Sequence, residues 1–284
     1  MEIIRIPIIM QQTAEEHRLS SRTIGLVPTM GALHEGHISL IKCSKSENDI
    51  TAVSIFVNPT QFGRNEDFDT YPKDTETDIL KLRDSGVDML FLPDASQMYP
   101  QGFVTNITVK DIDSKLCGAF RPGHFSGVAT VVCKLLNIVK PARAYFGQKD
   151  FQQTVIIQRM ITDLNMDCDI VVCPIVRDSD GLAKSSRNAY LADDSRKAAL
   201  VIYKALRAGA DIINSGERNA LAVKKKMNDM LGSEPLVSEV QYASIYDPVT
   251  LDELSETGKE NLLAIALRIG EVRLIDNMLV SIHK

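Results

Sequence analysis

Short apolar runs alternate with amphipathic stretches along the first 176 residues of the chain. The apolar runs are brief and rich in β-branched residues, which is typical of buried strands. Between them, apolar positions recur every three or four residues, as on one face of a helix. This alternation predicts an α/β fold with a doubly wound parallel sheet. The predicted strands are 23–27, 50–57, 87–92, 144–146 and 169–176, and the predicted helices are 73–85, 128–139 and 151–164, with a further helix beginning at Ile38.

The order of elements changes beyond Leu191. Two amphipathic helices, 199–213 and 220–231, precede three strand-like segments, 240–246, 262–269 and 272–282. Helices followed by a run of strands predict a separate, smaller α+β domain. We therefore expect one domain over residues 1–176 and a small C-terminal domain over residues 177–284, with the loop 177–188 at the hinge.

Two histidines fall where the strand 23–27 passes into the helix that begins at Ile38. Because His34 and His37 are three positions apart, they would face the same way on a first helical turn. The N–H groups and positive dipole end of such a turn attract phosphate, and imidazole adds hydrogen bonds. The pair points to attack at a nucleotide phosphate. A structural or exposed role stays open, whereas a zinc pair is disfavoured because a third ligand is lacking nearby and Glu35 faces another side.

Polar side chains follow two more of the predicted strands. Gln61 lies in a turn after the strand 50–57, at the end that faces the ligand crevice of an open α/β sheet. Lys149 follows the strand 144–146 and suits triphosphate oxygens. Asp150 beside it can cap the next helix. For Gln61, an amide that only stabilises its own loop is the alternative.

Two further loops carry cations. The segment 177–188 holds a cluster suited to stabilising departing pyrophosphate, although a solvated loop is the alternative. Arg121, in the turn before the helix 128–139, can bind a phosphate or a carboxylate through two N–H groups, or form a surface salt bridge. The clustered residues are Lys184, Ser185, Ser186 and Arg187.

Composition narrows the class of protein. Hydrophobic residues make up 44% and charged residues 24% of the chain, which is ordinary for a globular protein. The formal net charge of −5 disfavours a broad nucleic-acid surface, and no apolar run approaches the roughly 20 residues of a membrane span. The N-terminus does not resemble a signal peptide. Five cysteines without a C-x-x-C pair indicate thiols in a reducing cytoplasm.

Several strings resemble the motifs of one family. His34-x-Gly36-His37 after a strand is similar to the signature of the nucleotidyltransferase superfamily, and the ten residues from Pro28, Pro-Thr-Met-Gly-Ala-Leu-His-Glu-Gly-His, resemble the pantothenate synthetases more narrowly. Four further strings follow in the order of that family: Phe-Val-Asn-Pro-x-Gln-Phe, Phe-Gly-Gln-Lys-Asp-Phe-Gln-Gln, the Lys-Ser-Ser-Arg loop and Arg-Leu-Ile-Asp-Asn. The resemblance spans nearly the whole chain.

The resemblance implies a Rossmann-like first domain and a ligase. Such a ligase condenses (R)-pantoate with β-alanine at the expense of ATP, through a pantoyl adenylate, and releases AMP and diphosphate. Mg²⁺ would arrive bound to the ATP phosphates, and the family implies a homodimer. From the net charge and the short apolar runs we expect neither a nucleic-acid nor a membrane partner. A simple nucleotidyltransferase acting on a phosphate ester and a non-catalytic nucleotide sensor are the rival interpretations.

The resemblance also implies roles for individual residues. His37, His34, Lys149, Ser185, Ser186 and Arg187 would be catalytic. The ATP site would comprise Met30, Gly31, Ala32, Leu33, His34, Glu35, Gly36, His37, Gly147, Gln148, Lys149, Asp150, Val176, Lys184, Ser185, Ser186 and Arg187. Gln61 and Gln153 would bind pantoate, and Gln61 also β-alanine. His124 would support the site, and Asp78 is the nearest match to an acidic residue near the magnesium. Lys184 replaces a methionine common in the family, so its side chain has no inherited role.

Overall fold

The computed structural model describes residues 1–63 and 66–282, in two compact units. The main division falls after Pro174, close to the boundary expected from the sequence. Two short segments that the sequence analysis gave to the first domain, 115–120 and 149–152, belong to the second unit, where Asp252 pairs with Lys115 and Asn277 binds the carbonyl of Lys149. Unit 1 is Met1–Ser114, Arg121–Gln148 and Gln153–Pro174, and unit 2 is Lys115–Phe120, Lys149–Gln152 and Ile175–Lys284, the last two residues lying outside the described chain.

Strands and helices follow one another up to residue 173, with three helices in succession between the fourth and fifth strands. They are β1 (Glu2–Ile4), α1 (Pro7–Leu19), β2 (Ile24–Thr29), α2 (Glu35–Glu47), β3 (Ile50–Ile55), α3 (Thr75–Asp84), β4 (Met89–Phe91), α4 (Ala95–Met98), α5 (Cys117–Phe120), α6 (His124–Val139), β5 (Arg143–Gly147), α7 (Phe151–Asp163) and β6 (Asp169–Cys173). Short 3-10 turns cover Pro59–Gln61, Ile112–Ser114 and Gln148–Asp150. Among the described residues, no helix combines the length and the apolar character needed to cross a membrane.

The six strands of unit 1 form one parallel sheet in the order β1-β4-β3-β2-β5-β6. The central strands β2 and β3 are buried nearly throughout, because helices cover both faces of a parallel sheet; all six residues of β3 are buried. The strand order reverses between β2 and β5, and ligands of such sheets bind at the carboxyl ends on either side of that point. The predicted doubly wound parallel sheet is therefore confirmed.

Two elements near the N-terminus were not predicted, and several element ends differ from the sequence predictions. A three-residue edge strand, β1, and the 13-residue helix α1 precede the strand that the pattern predicts first. So short a strand as β1 shows no periodicity. β2 continues through Pro28 to Thr29 rather than ending at Val27. Pro28 is tolerated because its missing N–H faces β5, whose pairing with β2 has already ended at Leu26. β6 ends at Cys173, before Pro174, rather than at residue 176.

Unit 2 contains two long helices and an antiparallel sheet in the order β7-β8-β9. The elements are α8 (Asp193–Asn214), α9 (Ala220–Gly232), β7 (Val237–Tyr246), β8 (Glu260–Ile269) and β9 (Val272–Ser281), with a 3-10 turn at Ser186–Tyr190. The inner faces of the helices pack on β8, where Leu263, Ile265 and Leu267 are fully buried. The predicted smaller α+β fold is confirmed.

Candidate functional site

The chain leaves β2 through a turn in a rare backbone conformation. Gly31 and Ala32 both have positive φ, +85° and +50°, and an alanine in that region is strained. The carboxylate of Asp78 on α3 stabilises the turn, because Oδ2 accepts the N–H of Ala32 and Oδ1 the N–H of Leu33, each at 2.8 Å. Lys81, one turn further along α3, donates Nζ to the Leu33 carbonyl at 2.6 Å. A buried carboxylate and a lysine thus fix the backbone just before the histidines.

The two histidines lie together at the start of α2, as their spacing predicts. His34 caps the helix, with its Nδ1 accepting the N–H of Gly36 at 3.1 Å. The Nδ1 of His37 accepts the N–H of His34 at 3.3 Å, and the ring centroids are 4.1 Å apart. Because both Nδ1 atoms accept hydrogen bonds, each neutral ring carries its proton on Nε2. The predicted string from Met30 to His37 therefore presents two imidazole N–H donors at a helix N-terminus.

Gln61 lies at the carboxyl end of the neighbouring strand, β3, and contacts the β2 turn directly. Its Nε2 lies 3.1 Å from the sulfur of Met30, as a donor to it. Its Oε1 accepts Nδ2 of Asn58 at 3.1 Å, and Asn58 also donates to the carbonyl of Gly127 on α6. The side chain thus takes part in its own loop, as the structural alternative expects, and also joins two of the predicted motifs.

Two neighbours determine where Gln61 stands. The hydroxyl of Tyr99 donates to Oδ1 of Asn58 at 2.8 Å, which orients the amide that holds Gln61. Gly127 packs against the backbone of the same 3-10 turn, since a Cβ added there would lie 2.5 Å from the carbonyl oxygen of Thr60. The loop of Gln61 is therefore packed on its α6 side without space for a methyl group.

Arg121 forms an ion pair with Glu66, but both side chains are partly buried, unlike the surface salt bridge that the sequence offered as an alternative. Its guanidinium donates to both carboxylate oxygens of Glu66 and to Nε2 of His124, the latter at 3.0 Å. Nδ1 of His124 then donates to the backbone carbonyl of Gln61 at 2.7 Å. Burial raises the pKa of Glu66, but the hydrogen bond and charge of Arg121 outweigh it and leave the pKa below its ordinary value. The chain of contacts supports the Gln61 loop.

The remaining predicted residues of unit 1 follow β5. Gly147 is the last residue of that strand, and a Cβ added to it would meet nothing within 4 Å. Gln148 opens the 3-10 turn that leads into α7. Gln153 is half-buried in the first turn of α7. These residues stand at the carboxyl end of the strand next to β2, on the other side of the point where the strand order reverses.

In unit 2, Lys149 and Asp150 complete the 3-10 turn, with Lys149 half-buried and Asp150 exposed. The backbone carbonyl of Lys149 accepts the side-chain amide of Asn277 on β9 at 3.0 Å. Gln152, in the first turn of α7, is buried, and its Oε1 accepts the backbone N–H of Cys117 at 2.9 Å. The start of α7 is therefore held by side-chain hydrogen bonds within unit 2.

The loop from Val176 to Lys184 folds back on itself. The carbonyl of Val176 accepts the N–H of Lys184 at 2.9 Å. The Lys184 ammonium lies 2.6 Å from Oδ1 of Asp178, whose other oxygen pairs with Arg196. The hydrogen bond from Lys184 is the main cause that holds the pKa of Asp178 below its ordinary value. The side chain of Lys184 thus forms an ion pair within its own loop.

The cluster ends in a second cap. Ser185 precedes the 3-10 turn, and its Oγ accepts the N–H of Arg187 at 3.3 Å, so that Ser186 and Arg187 occupy the first turn. Arg187 is close enough to Arg273 of β9 to act on it electrostatically. Burial and the charge of Arg187 oppose protonation of Arg273, yet Cys117 and Tyr242 favour it, and the net effect raises the pKa of Arg273.

Within residues 1–63 and 66–282, no three His, Cys, Asp or Glu side chains are grouped so as to hold an ion. Asp78, the nearest match to an acidic residue near magnesium, has both oxygens bonded to backbone N–H groups. Its contribution is to the turn at Ala32, which the sequence reasoning missed because nothing local links α3 to β2.

Comparisons with known proteins cover nearly the whole chain. The family model described as Pantoate-beta-alanine ligase matches residues 2–279. The chain is 58% identical over 281 residues to the pantothenate synthetase of Thermodesulfovibrio yellowstonii, covering 99% of this chain and 100% of that one. It is 40% identical to the crystal structure of pantothenate synthetase from Thermus thermophilus, with a TM-score of 0.93, covering 98% of this chain and 99% of that one. For the pantoate-beta-alanine ligase of Francisella tularensis in complex with beta-gamma ATP and beta-alanine, the identity is 40%, the TM-score 0.81 and the coverage 98% and 97%.

Proposed function

The chain belongs to the pantoate–β-alanine ligase family, and from this premise we propose how its residues carry the reaction. A member of this family forms the carbon–nitrogen bond of pantothenate from pantoate and β-alanine, with ATP as the energy source. The observation that carries the proposal is the pair of imidazole N–H donors at the start of α2, with Gln61 in contact with the same turn.

In the first step, the pantoate carboxylate attacks the α-phosphate of ATP. Pantoyl adenylate forms, and diphosphate leaves with the electrons of the broken P–O bond. His37 and His34 donate Nε2–H to phosphate oxygens as negative charge develops there, which stabilises the transition state. The turn from Met30 to Leu33, held by Asp78, and the first residues of α2, Glu35 and Gly36, surround the nucleotide. The fixed tautomers of both rings support this role, since no reorganisation is needed.

In the second step, the amine of β-alanine attacks the carbonyl carbon of the adenylate and AMP leaves. The protein forms no covalent bond, so that positioning supplies most of the rate. Gln61 and Gln153 orient pantoate, and Gln61 also contacts β-alanine. The burial of Gln61 and its bond to Asn58 support such a fixed orientation. The Francisella ligase bound to beta-gamma ATP and beta-alanine supports both molecules as ligands.

Two cationic and two hydroxyl side chains of unit 2 act on the phosphates. Lys149, Ser185, Ser186 and Arg187 hold the triphosphate and then the departing diphosphate. The ATP site is completed by Gly147, Gln148, Asp150, Val176 and Lys184. Lys184 contributes through its backbone, because its ammonium pairs with Asp178. Lys149 and the loop of Lys184 to Arg187 belong to unit 2, whereas His34, His37, Gln61 and Gln153 belong to unit 1.

Magnesium, assembly and location complete the proposal. Mg²⁺ bound to the ATP phosphates would neutralise part of their charge, and the described residues form no cage of their own for it. The family resemblance supports a homodimer, which sedimentation velocity tests by mass. All five cysteines are free thiols, as a reducing compartment maintains, and this supports the cytoplasm.

The test is diphosphate release from ATP with pantoate, with and without β-alanine, and product identification by mass. We expect pantoate-dependent diphosphate, with pantothenate and AMP appearing only when β-alanine is added. Diphosphate release that ignores pantoate but responds to a phosphate ester would instead favour the simple nucleotidyltransferase. ATP binding without any diphosphate would favour a nucleotide sensor.

A further inference from the structure

Two polar residues of the string Arg-Leu-Ile-Asp-Asn have no role in the chemistry above. Asp276 and Asn277 lie next to each other on β9, opposite Ile265 and Ala264 of β8. Both are nearly inaccessible, with 4% and 3% of their surface exposed. Buried polar side chains destabilise a fold unless their hydrogen bonds are made. Their partners therefore indicate what these two residues do.

Asp276 binds the arginine at the base of the loop that carries Lys184 to Arg187. Arg177 donates to both carboxylate oxygens, with NH1 2.5 Å from Oδ2 and NH2 2.9 Å from Oδ1. The same guanidinium donates to the carbonyl of Gly181 at 3.0 Å and stacks over the ring of Tyr203 at 4.3 Å. Arg177 also pairs with Ala183 through a backbone bridge. Asp276 thus fixes the hairpin whose end is the cationic cluster.

Asn277 binds the other cationic segment. Its Nδ2 donates to the backbone carbonyl of Lys149 at 3.0 Å. Its own backbone N–H donates to Oδ1 of Asp276 at 2.8 Å, which ties the two side chains together. The carbonyl belongs to the residue whose ammonium is assigned to the triphosphate. A shift of that backbone moves the whole lysine side chain.

We infer that Asp276 and Asn277 form a positioning pair within unit 2. The pair fixes the backbone of Lys149 relative to the loop that precedes Arg187. The inference rests on the proposed function, which gives both segments the phosphates as ligand. Lysine has a long flexible stem, so that its ammonium is only as well placed as its backbone. Misplacement by about 1 Å can lower a rate by roughly a hundredfold. Neither residue needs to touch the substrate for this effect.

Asn277→Asp tests the inference with little change of volume. A carboxylate cannot donate to the Lys149 carbonyl. We expect kcat for pantoate-dependent diphosphate release to fall by roughly ten- to a hundredfold and KM for ATP to rise, while KM for β-alanine stays unchanged. The loss should shrink as the pH is lowered, because a protonated carboxyl group donates again. Asn277→Ser, which keeps a shorter donor, is a milder variant in case the first one does not fold.

Asn261→Asp is the matched control. Asn261 is a fully buried asparagine of the same sheet, and its Nδ2 donates to the carbonyls of Gly258 and Val280 at 2.9 and 3.1 Å. We expect a comparable shift of the urea midpoint and an unchanged KM for ATP. An equal rise of KM for ATP in both variants would mean that any buried charge in this sheet disturbs the site, and it would overturn the inference.

A double-mutant cycle with Lys149→Ala separates the inference from the proposed function. If Asn277 acts through Lys149, Asn277→Asp should have little further effect in the Lys149→Ala background. If the fold-losses of the two single substitutions multiply in the double variant, the two residues act independently and the inference is overturned. If Asn277→Asp has wild-type kinetics while Lys149→Ala is inactive, the inference is overturned and the proposed function stands. Wild-type diphosphate release by Lys149→Ala would refute the role of Lys149 in the proposed function, and the inference with it.

Discussion

Asp78 and Ala32 lie 46 positions apart in the sequence and are joined by a hydrogen bond of 2.8 Å, from the N–H of Ala32 to Oδ2 of Asp78. The left-handed conformation of Ala32 costs about 1 kcal/mol or more. A buried carboxylate that accepts two adjacent N–H groups offsets this cost and fixes the turn. The position of this turn determines where His34 caps the start of α2.

Asp78→Asn should lower both stability and adenylate formation. Asparagine keeps one acceptor and turns an NH₂ group toward the other backbone N–H, so we expect a loss of about 2–4 kcal/mol in the free energy of unfolding. Urea unfolding measures the first effect and pantoate-dependent diphosphate release the second. Asp74→Asn is the control, because Asp74 caps α3 through the N–H of Thr77, which asparagine does equally well. An active, fully stable Asp78→Asn would contradict the role of the turn.

His37 offers a pair of substitutions that separate its two nitrogens. Asparagine retains an acceptor near the position of Nδ1, whereas glutamine retains a donor near the position of Nε2. If the Nε2–H donor stabilises the phosphates, His37→Asn should lose about 10²- to 10³-fold in kcat with its stability preserved, and His37→Gln should lose less. Stopped-flow measurement of diphosphate release gives both rates. Near-normal adenylate formation by a folded His37→Ala would refute the assignment altogether.

Gln61→Ala should weaken the use of pantoate. The variant loses the amide that contacts the sulfur of Met30 and leaves Nδ2 of Asn58 without one partner. We expect KM for pantoate to rise about tenfold or more, as for the loss of one or two hydrogen bonds, with KM for ATP less affected. Initial rates at varied pantoate concentration measure this. Pantoate kinetics equal to those of the unaltered chain would limit Gln61 to its own loop.

Gly127→Ala should act on the same loop through sterics alone. Its added methyl group would collide with the backbone of Thr60 and Gln61, at 2.5 to 2.7 Å. We expect a loss of about 1–3 kcal/mol in stability and a higher KM for pantoate. Gly232→Ala is the matched control, since a Cβ there meets nothing within 4 Å and alanine favours a helix. Equal behaviour of the two variants would show that the close packing of α6 has no consequence.

The Glu66–Arg121 pair predicts a dependence of stability on pH. The folded pKa of Glu66 is depressed, so the pair contributes stability above the unfolded pKa of about 4.3 and loses it as the pH falls through the folded pKa. Glu66→Gln should therefore lower the urea midpoint at pH 7 and have a smaller effect near pH 3. Glu15→Gln, at the exposed pair with Arg18, is the control with little effect at either pH. If the difference in urea midpoint between the unaltered chain and Glu66→Gln increased as the pH fell, the prediction would be contradicted.

The sequence by itself determined the class of fold and the order of its parts. Alternating apolar runs and amphipathic stretches are local patterns, and they predict the parallel sheet, the later α+β fold and most element boundaries within a few residues. The glycine-containing turn before His34 and His37 is local as well, and so is their common orientation on one helical turn. The edge strand β1 was missed because three residues carry no period.

Only the tertiary structure decided which distant groups hold these local features in place. Asp78 binds the turn of Ala32, Asn277 binds the carbonyl of Lys149, and the Lys184 ammonium is taken up by Asp178. Hydrogen bonds of this kind join residues brought together by strand order and helix packing. A periodic pattern reports which face of an element is buried, but it does not report which polar atom it meets there, and so the partners become visible only once the chain is folded.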